Sequence, residues 1–404
     1  MQNFLYKARD NFGKEVRGTM MADGEAELAN KISNLGYYLV RYKEISEAQQ
    51  LKGSKKVARL KTPDLLNFTI HLATLIDSGV PLAAALRELA QDETKENLQK
   101  IIDDVRYRVE AGSSLKEALA SSPRSFPKLY TAIVGAGEST GKLPVCLNEL
   151  ARLIDWQLEL GAKVREAATY PVILFCVMLG VVTLLMVKMI PTFKPIFKEM
   201  NIQLPGPTQF VLNVSDFVLN WWWMILGAAV LLVAGYIAYN ATAGGRYRID
   251  SVKLRLPVLG GLLRKIALSR FCHTFALGLK SGVNILTALD LASEVVDNVR
   301  IRRSVVKARD SVNVGEKLGT AFQVSGEFPP LVVRMITVGE QSGSLPQTLD
   351  KVTIFYDREV PSAIRKMFSL FEPVTIVFMA AVVGGIAVAI FLPMFKIADV
   401  IGGG

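Results

Sequence analysis

The chain has 404 residues, a net charge of +10 and a mean hydropathy of +0.30, with 50% hydrophobic and 21% charged residues. It is too apolar for a disordered protein, unusually apolar for a soluble one, and long enough for two or three structural units. Its three cysteines lie far apart, and its two histidines are His71 and His273. This excludes a disulfide framework, a zinc ribbon and a multi-histidine site, so we expect no metal.

The first 45 residues predict a small α+β unit with a ββαβ order. The N-terminus has no apolar segment of the kind found in a cleaved signal peptide. Residues 46–61 contain Gly53-Ser54-Lys55-Lys56 and several further basic residues, which predicts a basic linker. Strands are expected at Phe4–Ala8, Glu15–Met20 and Tyr37–Tyr42, a turn at Asn11-Phe12-Gly13, and a helix at Ala22–Leu35.

Helix start and stop patterns recur along residues 62–169 and again along 264–372, where strand patterns are scarce. In the first stretch, Ser114 and Glu117 form a capping-box pattern. A long helix is expected to begin at Leu143 and to run on into the apolar residues that follow. We predict a six-helix bundle from each stretch. Further helices expected in the first bundle are Pro63–Ser78, Asn97–Glu110 and Pro127–Ala136.

Three apolar runs are each long enough to cross about 30 Å of hydrocarbon at roughly 1.5 Å per residue. They cover residues 170–190, 217–239 and 373–395. Trp221–Trp223, at the start of the second run, suit a membrane interface. The fold class predicted is therefore an all-α membrane protein with two homologous six-helix bundles, three transmembrane helices and the small N-terminal α+β unit.

The positions of Lys and Arg predict the orientation of these spans. Basic residues concentrate in the parts of 1–169 and 240–372 that lie beside the spans, including a basic linker at 240–263. They are fewer in the loop at 191–216 and the tail at 396–404. The positive-inside rule therefore places both bundles and the N-terminus in the cytoplasm, and the C-terminus outside. The basic excess then meets anionic membrane lipid, and without a basic–aromatic stripe we expect no nucleic-acid partner.

The two helical stretches are copies of one another. Ser78–Leu86 matches Ser281–Leu289, and the sequence GESTGKLP at Gly137–Pro144 matches GEQSGSLP at Gly339–Pro346. The duplicated unit is a bundle together with the span that follows it, and the second span is an unduplicated connector that returns the chain to the same side. Prolines at equivalent positions are Pro171 with Pro373, and Pro191 with Pro393.

The duplicated Gly-Glu motif superficially resembles a phosphate-binding loop. Its spacing departs from the Walker A pattern, and Ser344 replaces Lys142 in the second copy, so nucleotide binding is not expected. Two interpretations of the acids of this motif, Glu138 and Glu340, remain open. Each is either a solvated or helix-capping carboxylate, or part of a partner-binding surface that recurs in both copies. The candidate contacts are Gly137, Glu138, Gly141, Gly339, Glu340 and Gly343.

Glu372 is a further candidate contact, because it stands beside Pro373 where the third span begins. It either lies among lipid headgroups or pairs with a cationic group of a partner that enters the bilayer. Small residues in the same span predict a ridge where another helix can approach closely. The residues of this ridge are Ala381, Gly384, Gly385 and Ala389.

Catalytic chemistry finds little support in the sequence. His71 and His273 do not occupy equivalent positions of the two copies, so packing or surface roles explain them more simply. The motifs of hydrolases and metalloproteases do not occur, and the spans carry no acid suited to a proton relay. We therefore expect no catalytic residue and no cofactor, which disfavours the rival class of membrane enzymes and transporters.

The two copies of Gly-Glu-x-x-Gly-x-Leu-Pro, each followed by a span, resemble the inner-membrane platform proteins of type II secretion and type IV pilus machines, the GspF/PilC family. Ala168–Pro171 and Glu372-Pro373 resemble the family where the first and third spans begin. Leu204–Thr208 and Leu392–Lys396 look closer to the pilus branch. The likeness covers the chain from about residue 63 to residue 396.

This resemblance implies a location in the bacterial inner membrane and no enzymatic activity. It also implies a homo-oligomer that meets a hexameric assembly ATPase in the cytoplasm and transmits the motion of that ATPase to pilin or pseudopilin subunits. Other inner-membrane assembly proteins would be further partners.

Overall fold

The computed structural model describes residues 2–9, 15–22, 38–45, 60–189 and 206–402, together with a few single positions between these ranges. Its N-terminal unit is a three-stranded antiparallel sheet with strand order β2-β1-β3. Tyr6 of the central strand lies opposite Gly18 on one side and Tyr42 on the other. The strands are β1 Gln2–Arg9, β2 Glu15–Ala22 and β3 Tyr38–Ile45.

The sheet confirms the α+β unit expected from the sequence. Helical backbone at Glu27, Ala29, Lys31 and Ser33 lies between β2 and β3, as the ββαβ order requires. The expected turn at 11–13 and the linker up to residue 59 lie outside the described residues.

The first bundle consists of six helices whose apolar faces meet in one core. Leu72, Leu86, Ile133 and Leu147 are completely buried there. Inside this core the Thr69 hydroxyl donates to the Leu65 carbonyl and lies 3.0 Å from the Tyr130 hydroxyl, so both polar groups are satisfied. The helices are α1 Thr62–Asp77, α2 Leu82–Asp92, α3 Glu96–Glu110, α4 Leu115–Ala120, α5 Lys128–Thr140 and α6 Leu143–Leu184.

The second bundle repeats this arrangement with an aromatic core. Phe271, Phe322 and Phe328 pack with ring centroids 4.6 to 5.4 Å apart, at tilted or edge-on angles. Its helices are α9 Leu259–Lys280, α10 Ile285–Glu294, α11 Val299–Asn313, α12 Leu318–Ser325, α13 Pro330–Gln341 and α14 Leu345–Ser369. The two six-helix bundles agree with the fold class predicted from the sequence.

Three further helices carry the connector and the third span: α7 Gly206–Ala241, α8 Ala243–Arg255 and α15 Phe371–Gly402. Helices long and apolar enough to cross a membrane are Leu143–Met189, Asn220–Ala241 and Leu345–Ala389. Residues 206–216 are helical and not part of a loop, and the tail is helical as far as residue 402. Trp221, with φ −117° and ψ 17°, kinks α7 just where its apolar half begins.

The two bundle-plus-span copies differ in how the bundle joins its span. Helix α6 continues from the first bundle into the first span without a break, although Pro171 lies inside it. In the second copy α14 ends at Ser369 and α15 begins at Phe371, with a turn at Leu370. Pro373 lacks the amide hydrogen that would bond the Ser369 carbonyl, but the equivalent Pro171 leaves α6 continuous, so the proline alone does not account for this difference.

The bundles pack against each other along α6. The Trp156 ring of α6 stacks on the His273 ring of α9, with centroids 4.1 Å apart. The Asp357 Oδ1 atom of α14 accepts a hydrogen bond from Trp156 Nε1 at 2.8 Å and lies 2.9 Å from His273 Nε2. Leu160 of α6 belongs to the core of the second bundle. We call Trp156, His273 and Asp357 the bundle junction.

A hydroxyl of the connector caps a free backbone carbonyl near the C-terminal end of the third span. Pro393 has no amide hydrogen, so the Ala389 carbonyl four residues earlier lacks its usual helical donor. Thr208 Oγ1 of α7 donates to that carbonyl at 2.8 Å, and both residues are buried. The connector therefore supplies the hydrogen bond that the proline removes.

The first span ends in a similar way, although its geometry differs. Leu185–Met189 is π-helical, and in a π-helix a carbonyl bonds the amide five residues later. For Met186 that residue is Pro191, which has no amide hydrogen. Ser215 Oγ of α7 donates to the Met186 carbonyl at 2.9 Å. The first half of α7 thus carries two buried hydroxyls, one for each of the carbonyls that equivalent prolines leave open. We call Thr208 and Ser215 the hydroxyl clamp.

Replacing a clamp hydroxyl should weaken the contact between α7 and the span it serves. Thr208→Val or Ser215→Ala leaves a carbonyl without a donor where water is scarce, so each should lower the free energy of unfolding by about 1–3 kcal/mol. Titration of the purified full chain from mild detergent into dodecyl sulfate would measure this. Thr375→Val is the matched control, because the Thr375 hydroxyl bonds the carbonyls of its own helix. Equal midpoints for Thr208→Val and Thr375→Val would contradict the prediction.

Candidate partner-binding surfaces

The duplicated Gly-Glu motif forms the end of one helix and the turn into the next. Helix α5 continues to Thr140, beyond the end predicted at Ala136, so Gly137 and Glu138 lie in its last turn and not between helices. Gly141 and Gly343 have φ of 68° and 67°, the left-handed conformation that glycine adopts without strain. The amide of Lys142 donates to the Gly137 carbonyl at 2.9 Å, a bond typical of a Schellman motif.

The first glycine of each motif allows two helices to pack closely. A Cβ atom on Gly137 would lie 2.9 Å from Cys146 Cβ on α6. A Cβ atom on Gly339 would lie 2.1 Å from Thr348 Oγ1 and 2.9 Å from the Leu345 Cα atom on α14. Because both contacts are too short for a side chain, these positions require glycine for packing alone.

Both acids of the motif cap a neighbouring helix. Glu138 accepts the amide of Leu115 through Oε1 at 2.7 Å and the amide of Lys116 through Oε2 at 3.2 Å. Glu340 does the same for Leu318 at 2.7 Å and Gly319 at 3.0 Å. These amides are the first of α4 and α12, which have no acceptor within their own helix. The helix-capping interpretation thus accounts for the recurrence of the acid, and contact with a partner stays a prediction for these residues.

Glu372 lies in the wall of an apolar groove between the first and third spans. The groove, which we call the span groove, has a volume of about 260 Å³. Its lining is almost entirely apolar and comes from the segments where α6 and α15 leave the bundles, including Tyr170, Pro171, Phe368 and Phe371. Glu372 is exposed, and its carboxylate has no hydrogen bond or ion pair with the described residues. A carboxylate in such a wall would attract a cationic group attached to an apolar segment.

The small-residue ridge of the third span is only partly open. Ala381, Gly384 and Gly385 are exposed, and a Cβ atom on either glycine would meet no other atom within 4 Å. Ala389 is buried at 2% exposure beneath Thr208. The ridge predicted from the sequence therefore divides into an open part and a residue that the connector already covers.

The bundle junction escaped sequence reasoning. The sequence predicts a packing or surface role for His273, whereas in the structure it contacts Trp156 and Asp357, across two bundles that lie far apart in the sequence. His71 is exposed on α1. The large aromatic side chain of Trp156 is the signal in the sequence that this face of α6 is covered.

Nucleophilic and metal chemistry find no support in the described part of the chain. Cys146, Cys176 and Cys272 are free thiols. Burial raises the pKa of the Cys146 and Cys272 thiols, which keeps both of them protonated and unreactive. Among the described residues, no cluster of His, Cys, Asp and Glu could hold a metal ion.

The family model for "Type II secretion system (T2SS), protein F" matches twice, at residues 68–191 and 271–393, and the model for the N-terminal domain of that protein matches residues 1–43. The chain belongs to the type II secretion system protein F family. The two matches confirm the internal duplication and the grouping of each bundle with the span that follows it.

Named relatives of this family member come from both pilus and secretion systems. The type IV pilus assembly protein PilC of Thermus thermophilus is 37% identical over 402 residues, 98% of each chain. The PilC protein of Myxococcus xanthus is 33% identical and covers 98% of this chain and 95% of its own. The type II secretion system protein F of Pseudomonas aeruginosa is 34% identical over 405 residues, 100% of each chain.

Removing the carboxylate that caps a neighbouring helix should lower the stability of the protein. The effect should be larger for Glu340 in the second bundle than for Glu138 in the first. Helix α4 has a second cap, since Ser114 and Glu117 form the capping box, whereas Lys317 before α12 offers no side-chain cap. We expect Glu340→Gln to lower the free energy of unfolding by about 1–3 kcal/mol and Glu138→Gln by less. Thermal unfolding in detergent would measure both. Glu316→Gln, at an exposed acid just before α12, is the control, and an equal loss in that variant would refute the capping role.

The open part of the ridge predicts a contact with another helix. Gly385→Leu adds a side chain where the chain itself leaves space, so folding should be unaffected while close approach is blocked. We expect self-association in liposomes, measured by energy transfer between labelled copies, to fall about tenfold, or ~1.4 kcal/mol. Gly235→Leu, on the equally open second span, controls for added volume. Unchanged association of Gly385→Leu would remove the ridge as a self-contact.

Proposed function

We propose that this chain is an inner-membrane platform of type IV pilus biogenesis, which couples a cytoplasmic assembly ATPase to the extraction and polymerisation of pilin. The observation that carries the proposal is the path of α6. One helix belongs to the first bundle, contacts the second bundle through Trp156 and Leu160, and continues into the first span. Motion of either bundle is therefore communicated to a helix inside the membrane.

The bundle junction also supports the topology that this function needs. Two bundles in direct contact lie on the same side of any bilayer that the spans cross. Together with the basic residues beside the spans, this supports two cytoplasmic bundles, a cytoplasmic N-terminus and an outside C-terminus. Such bundles present a broad surface to a hexameric ATPase and to further copies of this chain.

The membrane-facing surfaces suit the handling of a single-span subunit. In the proposal, the span groove receives the apolar helix of a pilin, with a cationic group of that helix beside Glu372. The open ridge at Ala381, Gly384 and Gly385 serves contact between copies or with another inner-membrane assembly protein.

Nucleotide chemistry is assigned in this proposal to the ATPase and not to this chain. A phosphate-binding loop needs free backbone amides. In the Gly-Glu motif, the Gly141 and Lys142 amides donate to carbonyls of α5, and the Glu138 carboxylate would repel a phosphate. We therefore propose that the chain is neither an ATPase nor another enzyme, and that it needs no cofactor.

The equivalent platform of a type II secretion system, which assembles a pseudopilus, is the second candidate. The match to the Pseudomonas aeruginosa secretion protein over 100% of both chains favours it. The segments 204–208 and 392–396 favour the pilus branch. Deletion of the gene, followed by measurement of surface pili and of secreted proteins, distinguishes the two: lost secretion with normal pili would support the second candidate.

The platform role predicts that binding of the ATPase and coupling to the membrane can be separated at the bundle junction. Trp156→Ala removes the stacked ring and the indole donor, so the bundles should no longer move as one unit. We expect this variant to co-purify with the ATPase as the wild type does while failing to restore normal numbers of pili to a deletion strain. Trp156→Phe keeps a stacked ring and should restore most of them.

Two results would overturn the proposal. One is robust ATP hydrolysis by the isolated full chain, which a platform does not supply. The other is normal piliation by a Trp156→Ala variant in which spin-label distances confirm that the bundles have separated.

A further inference from the structure

The apolar half of α7 is uncovered by the rest of the described chain, and a cavity opens where it ends. Its most apolar window, within Asn220–Ala241, contains no buried residue. The 22 residues of this helix reach about 33 Å at roughly 1.5 Å per residue, enough to cross the hydrocarbon core. With Trp221–Trp223 at one interface, Asn240 lies at the other, at the depth of phospholipid headgroups.

The cavity has a volume of about 210 Å³ and lies between the end of α7, the helix α8 and the second bundle. Asn240 of α7 forms its membrane-side edge, Arg246 and Lys253 of α8 form one wall, and Leu263 of α9 contributes an apolar wall. We call it the connector cavity.

Four charged side chains line this cavity, and three of them have partners. The carboxylate of Asp250 lies 3.6 Å from Lys253 Nζ and accepts the amide of Val299 at 2.9 Å. Asp297 pairs with Arg270. The guanidinium of Arg246 is exposed and makes no hydrogen bond or ion pair with any described residue. The cavity is therefore left with one uncompensated positive group at its wall.

The surroundings of the cavity are also basic. Helix α8 carries Arg246, Arg248, Lys253 and Arg255 against a single acid, Asp250. On α11, the Arg303 guanidinium lies 4.5 Å from the centre of the Tyr247 ring of α8, which brings a further positive charge to this surface. Anionic groups are attracted to such a surface from the adjoining membrane.

We propose that the connector cavity binds the phosphate of an anionic phospholipid, whose acyl chains lie along the uncovered surface of α7. Arg246 is the principal ligand, because its planar guanidinium can bind two phosphate oxygens at once. Lys253 is the second, since its ammonium group is only partly engaged by Asp250. Phosphatidylcholine binds less well, because its choline group would bring a positive charge to this basic wall.

Native mass spectrometry and thermal unfolding of the detergent-solubilised full chain, titrated with phosphatidylglycerol, test the proposal. We expect phosphatidylglycerol to remain bound and to raise the unfolding temperature, and phosphatidylcholine and inorganic phosphate to do neither at equal concentration. Arg246→Gln should reduce the apparent affinity for phosphatidylglycerol about tenfold, and Lys253→Gln by a smaller factor. Arg248→Gln is the matched control, because Arg248 is exposed on the same helix and does not line the cavity.

Equal loss of affinity in Arg246→Gln and Arg248→Gln would overturn the proposal in favour of a diffuse basic surface. Competition by inorganic phosphate at the concentration of the lipid would overturn it in favour of a site for a free anion. Equal binding of the two lipids would remove the preference for an anionic headgroup and with it the proposal. None of these outcomes bears on the platform role.

Discussion

The structure depends on one helix that two hydrophobic cores share. Leu147 of α6 is buried in the first bundle, whereas Leu160, about three and a half turns further along, is buried in the second. A helix that serves two cores cannot shift without opening one of them, because buried apolar side chains stabilise only where they are packed. Trp156 lies between these two positions on α6, and its ring stacks on His273 of the second bundle. The relative placement of two separately folded copies thus follows from a single continuous stretch of backbone.

A second constraint acts at the C-terminal ends of the first and third spans. Hydrocarbon supplies no hydrogen bonds, so a proline near the end of a membrane helix exposes a carbonyl that the protein itself must satisfy. Duplication placed such a proline in both copies, and the unduplicated α7 carries a hydroxyl for each. The connector therefore does more than return the chain across the membrane, since its first half joins the ends of the two spans that the duplication created.

Much of this architecture could be read from residue patterns. Ser114 and Glu117 correctly located the start of α4, and the glycines at 141 and 343 located two chain reversals, because each of these features acts within a few residues of sequence. The three spans were visible because length and hydropathy are local properties as well. The end of α5 was placed too early, because Gly137 looks like a helix breaker until the close approach of Cys146 is known.

Features that depend on tertiary contacts could not be predicted in the same way. The sequence leaves two roles open for Glu138 and Glu340, capping or contact with a partner, because the amides that they cap lie about twenty residues earlier in the chain. Ala389 looked like a free contact until Thr208, on another helix, was seen to cover it. The bundle junction joins three helices of two copies, and only the folded structure brings them together.

The turn at Leu370 makes the two copies mechanically unlike. An uninterrupted α-helix resists torsion, so a rotation of the first bundle turns its span by a similar angle. At Leu370 the run of helical hydrogen bonds lapses although the backbone keeps helical dihedral angles, φ −75° and ψ −21°, so this join resists bending and twisting less than the continuous α6 does. The duplicated units thus differ in the stiffness of the join between bundle and span, although their sequences match.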